Sequence, residues 1–105
     1  MTRAEAIKQA LQNLRVLDAI SNPAAEDAAT VGSRLDQERA RLSERGLVWW
    51  DADDIPASVS GPFCRLVAAA SADAFNKAYD PTNAEKQIAA LKSSEQREPV
   101  RTDYF

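Results

Sequence analysis

The sequence predicts an all-α protein: a small four-helix bundle with an irregular tryptophan-bearing turn between helices two and three and an extended C-terminal tail. Three observations carry this. Apolar residues recur at three- and four-residue spacings in four separate segments, the period of one helix face. Each segment opens on a cap or proline signal. The one run suited to extended chain, Leu47-Val48-Trp49-Trp50, has no second strand with which to pair. The 105 residues fit one domain, read as a helical bundle over residues 1–98 with a tail over residues 99–105.

Thr2-Arg3-Ala4-Glu5 reads as a capping box, in which the threonine hydroxyl accepts a backbone N–H and the glutamate reaches back. Ile7, Ala10, Leu11 and Leu14 then lie on one face, and the helix is expected to end near Arg15. Val16-Leu17-Asp18-Ala19-Ile20 lacks helical spacing and reads as a packed loop. In the second helix Asn22 is placed as cap and Pro23 at the first helical position, with Glu26 and Asp27 complementing the positive helix end. Ala24, Ala28, Val31, Leu35 and Leu42 form its apolar stripe, and Gly46 suits a left-handed cap. Gly32, inside this helix, implies either a closely packed neighbour or a bend.

Ile55-Pro56 marks the next boundary. The central helix is expected from about Pro62 to Tyr79, capped by Ser60 or Gly61, with Val59, Phe63, Leu66, Val67, Ala70 and Ala74 on its apolar face. Asp80-Pro81 and the Thr82-x-x-Glu85 capping box open the fourth helix, whose stripe is Ala84, Ile88 and Leu91. Periodicity stops before Ser93-Ser94-Glu95-Gln96, and Pro99, Val100, Arg101, Thr102, Asp103, Tyr104 and Phe105 read as an extended tail.

Composition narrows the chemistry. A formal charge of −3 opposes binding of nucleic acid through phosphate neutralisation, which needs a net excess of Lys and Arg. Neither a signal peptide nor a membrane-length apolar run is seen, so a cytoplasmic site of folding or assembly is expected. Histidine is absent, which removes the usual general base and the commonest metal ligand. Gly32, Gly46 and Gly61 lie too far apart for a phosphate-cradling loop. Cys64, the single cysteine, reads as a buried, unreactive thiol.

Asp51, Asp53 and Asp54 lack the glycine and glutamate of a calcium loop and read as a solvated turn. Arg34, Arg39, Arg41 and Arg45, interleaved with Asp36, Glu38 and Glu44, read as intrahelical ion pairs on a wet face. No catalytic residue, cofactor or metal site is expected, and the protein is read as not an enzyme. Trp49 and Trp50 are the candidate intersubunit or tail contact, with one of them expected to anchor the core. Pro99, Val100, Arg101, Tyr104 and Phe105 are the candidate docking segment, because spaced apolar groups behind a proline suit extended-peptide docking.

The order of these features resembles the head-to-tail adaptor proteins of tailed bacteriophages, also called head-completion or packaged-DNA-stabilisation proteins. The resemblance rests on the opening AIKQALQNL helix, the long second helix ending LSERGLVWW, the Asp54-Ile55-Pro56 step and the VAAASADAF helix. It implies a ring of copies, expected to be dodecameric, beneath a portal protein at the head–tail interface of the virion, assembled in the host cytoplasm. In that setting residues 99–105 dock on the portal, and tail or nozzle proteins bind below. Packaged DNA then passes through an acidic lumen without sequence-specific binding, and no membrane is involved. The alternative is a small cytoplasmic helical interaction or regulatory module that binds one protein partner.

Overall fold

The computed structural model describes residues 1–18 and 21–102, with the backbone alone for 94–102. Four α-helices follow in order: α1 (Arg3–Asn13), α2 (Ala25–Glu44), α3 (Ala57–Ser71) and α4 (Ala84–Thr102). A 3-10 turn, Ala72–Phe75, extends the end of α3. The chain is mostly helical, and no strand forms among the described residues. α3 lies at the centre and packs against each of the other three helices. Its Val59, Phe63, Cys64, Val67 and Ala68 are fully buried, which explains why it is the most apolar of the four.

The capping box of α1 forms as the sequence indicates. The Glu5 N–H donates to Thr2 Oγ1, and the Thr2 N–H donates to a Glu5 carboxylate oxygen at 2.8 Å. Those bonds hold the Glu5 carboxyl below the usual carboxylate range. At the other end, Arg15 takes φ 61° and Val16 N–H donates to the Leu11 carbonyl, a Schellman closure built on a non-glycine residue. α2 closes in the same way, with Gly46 at φ 72° and Leu47 N–H on the Leu42 carbonyl. Val16 and Leu17 pack at the core's edge as expected, whereas Ala19 and Ile20 lie outside the described residues.

Several boundaries differ from the sequence reading. α2 starts at Ala25, and its N-cap Ala24 makes no side-chain cap bond, so Asn22 and Pro23 precede the helix. Glu26 and Asp27 in the first turn supply the stabilising charge. α3 starts at Ala57 because the Pro56 carbonyl already accepts from Val59 and Ser60 N–H, which puts Pro62 inside the helix. α3 also stops earlier, at Ser71. The 3-10 turn and the left-handed Asn76, φ 54°, end it before Tyr79, and Ala74 is exposed.

The start of α4 departs from a capping box. Thr82 and Asn83 both have positive φ, 28° and 59°, and the Asn83 carbonyl accepts from Gln87 N–H. A left-handed threonine costs roughly 1–2 kcal/mol. α4 then continues through Pro99 to Thr102, so residues 99–102 have helical backbone where an extended tail was expected. Lys92, Glu95, Gln96 and Arg97 are good helix formers with no glycine among them. The loss of apolar period there did not mark the end of the helix. Asp103, Tyr104 and Phe105 of the expected tail lie outside the described residues.

Gly32 marks a close approach rather than a bend. A Cβ at this position would lie 2.8 Å from the Arg3 guanidinium and 3.3 Å from Ile7 Cδ1, so glycine lets α1 settle onto α2. Residues 1–3 also pin the following turn: Met1 and Ile55 exchange two backbone bonds of 2.8 Å, and Arg3 N–H donates to Asp53 Oδ1.

Candidate interaction surface

Two tryptophans follow α2, and the fold separates them. Trp50 is buried and meets Phe63 edge-on, with ring centroids 5.5 Å apart at 69°. Trp49 stands nearly perpendicular to Trp50, 5.0 Å away at 89°, and is only half-buried. One ring therefore anchors the turn in the core, and its neighbour is carried at the surface on a rigid support. Leu47 and Val48, also half-buried, continue the apolar strip. The Leu47–Leu42 backbone bond fixes where the strip begins.

The turn is held from α2. Arg39 Nη2 donates to the Trp50 carbonyl at 2.6 Å. Arg39 Nε and Trp50 Nε1 are both buried without a hydrogen-bond partner. Following Trp50 in the chain, Asp51, Asp53 and Asp54 are exposed; Asp54 N–H donates to the Asp51 carbonyl and Asp53 accepts from Arg3. Among the described residues no group of three or more His, Cys, Asp or Glu could hold a metal ion.

The arginines of α2 do not simply pair along their own helix. Arg34 reaches the end of α3, donating to the Ala70 carbonyl at 2.7 Å and to Asp73 at 3.0 Å. Such a cation complements the negative end of a helix. Asp36 takes Arg3 of α1 at 3.0 Å. Arg41 with Glu38, 2.7 Å, is an intrahelical pair as expected, and Arg41 also reaches Glu85 of α4 at 2.9 Å. Arg45 binds the same Glu85 at 2.7 Å. The Glu38 and Glu85 carboxylates raise the Arg41 pKa above its ordinary value. The expectation of a wet intrahelical ladder is thus corrected: most of these charges join one helix to another. The capping-box spacing had disguised Glu85, and an arginine run in i, i+3 register with acids gives no hint of interhelical partners.

α4 meets the bundle through the buried Ala84 and Ile88 and the half-buried Leu91. Its 19 residues span about 28 Å at 1.5 Å per residue. The molecule measures 53 × 22 × 21 Å. A shallow groove lies at the foot of α4, lined by Leu47, Leu66, Pro81, Ala84 and Ala89 and flanked by Arg45 and Lys86. Cys64 lies apart from all of this, fully buried, with its Sγ 3.7 Å from Met1 Sδ; burial pushes its thiol up to about 11. No helix among the described residues is long and apolar enough to cross a membrane.

No protein-family model, curated protein or solved structure matches this chain.

Proposed function

We propose that this protein is a structural head-to-tail adaptor of a tailed phage. It forms a ring below the portal, retains packaged DNA and presents a docking surface to tail proteins. The observation that supports this reading best is the half-buried Trp49 on a turn locked by Trp50 and Arg39. A large apolar group held rigidly at the surface loses little entropy when a partner covers it. The elongated shape adds to this, because helical backbone carries residues 99–102 well beyond the Ala84–Leu91 contact. Portal docking is therefore assigned to a segment delivered by a helix, comprising Pro99, Val100, Arg101, Tyr104 and Phe105. Ring contacts are assigned to the Trp49 strip. The role is one of binding, without turnover, and the net charge of −3 suits a lumen that DNA passes without sticking.

The experiment is a truncation. Removing residues 99–105 is expected to abolish binding to the portal protein of the same phage while far-UV helicity falls only by the share of the lost turn. Binding that persists unchanged would remove this segment from the mechanism.

A further inference from the structure

The groove at the foot of α4 and the segment that follows the far end of the same helix match in chemistry, yet they are too far apart to meet within one chain. The groove has a volume of about 530 Å³, within the roughly 300–1,000 Å³ of sites that hold a compact ligand. Leu47, Leu66, Pro81 and Ala89 give it an apolar lining, and Arg45 and Lys86 flank it. Glu85 is the one carboxylate among the lining residues, and Arg41 and Arg45 share it at 2.9 and 2.7 Å. Lys86 is exposed in the first turn of α4, the positive end of a helix, where acids are favoured and a cation is not. Its place suits a negative group brought from outside.

Asp103, Tyr104 and Phe105, which follow α4 in sequence, bring one carboxylate and two aromatic rings. The last turn of a helix adds carbonyls without intrahelical partners and a negative pole. Arg101 offsets part of that charge, so the aromatic rings carry the larger share of the match. Reach decides which molecule can be involved. Ala89, the lining residue furthest along α4, precedes Thr102 by thirteen residues, about 20 Å of helix. Three residues of extended chain span about 10 Å. They cannot turn back to their own groove. We infer that Asp103-Tyr104-Phe105 of one copy seats in the groove at the foot of α4 of a second copy. Leu47 belongs both to this groove and to the strip that carries Trp49, so one neighbour covers both. In such a contact one surface meets a different one, and repetition builds closed rings or open chains. This seating does not rest on the adaptor reading, though it uses residues that a portal would then have to displace.

The test mixes two differently isotope-labelled preparations of the full chain in which Phe105 is replaced by photoreactive benzoylphenylalanine. Illumination over rising concentration is expected to give mixed-isotope dimers crosslinked between Pro81 and Ala89 or at Leu47 and Leu66. Sedimentation of the natural chain is compared with two double variants, Tyr104→Ser with Phe105→Ser and Lys86→Glu with Ala89→Glu. Each pair should weaken association about thirtyfold and leave far-UV helicity unchanged. Crosslinks that fall elsewhere, or none between copies at any concentration, would overturn the inference, as would association that survives either pair unchanged. Portal protein that binds while the groove gives no crosslink defeats this seating and leaves the adaptor reading standing; crosslinks at the groove without portal binding do the reverse.

Discussion

Arg39 of α2 donates to the carbonyl oxygen of Trp50 at 2.6 Å, so a charged side chain fixes the backbone that carries both indoles. A hydrogen bond from a charged group contributes roughly 1.5–3 kcal/mol. Arg39→Ala is expected to cost about that much in urea unfolding. The coupled near-UV signal of the perpendicular Trp49–Trp50 pair should also weaken. An unchanged near-UV spectrum would show that the turn is held without Arg39.

The two tryptophans should separate stability from assembly. Trp50→Ala empties a core position against Phe63 and is expected to cost about 3–5 kcal/mol. Trp49→Ala is expected to cost about 1 kcal/mol and to reduce self-association sharply, since surface aromatics dominate binding when covered. Paired thermal unfolding and sedimentation measurements read both effects.

Arg15 holds φ 61° after α1 and is exposed. Glycine adopts that conformation without the steric penalty. Arg15→Gly is expected to stabilise the protein by up to about 1 kcal/mol, read as a rise in the urea midpoint at constant slope.

Much of the bundle was legible in the sequence because local signals and packing agree in α1 and in the closure of α2. Thr2, Glu5 and Gly46 act as their types suggest. Agreement failed where one local signal hid another. Pro62 looked like a first-turn proline, yet the Pro56 carbonyl had already started α3. Glu85 looked like half of a capping box, yet two arginines of α2 claim it. The surface site was legible only as a pair: Trp49-Trp50 stands out as a doublet, but which ring is buried depends on Phe63 and Arg39, which lie thirteen and eleven residues from Trp50. Helical backbone at residues 99–102 was unreadable from apolar period, since the Ala84, Ile88 and Leu91 stripe does not continue beyond Leu91 in the sequence.

Burial raises the Cys64 thiol from 9.0 to about 11. The folded state therefore holds this proton more tightly than the unfolded chain does. The contribution to stability is fully present below pH 9.0 and is lost as pH rises towards about 11, a change of about 3 kcal/mol for one such group. Cys64→Ala should remove that part of the alkaline loss. Thiol reagents should modify the native protein only at the rate at which it unfolds.

On the proposed reading, this helical chain works by assembling with copies of itself and with a portal. Native mass spectrometry of the full chain over rising concentration, alone and with the portal protein, tests it most directly. One closed oligomer of fixed copy number is expected, strengthened by the portal and lost in Trp49→Ala. A monomer at every concentration, with the portal present or absent, would contradict it.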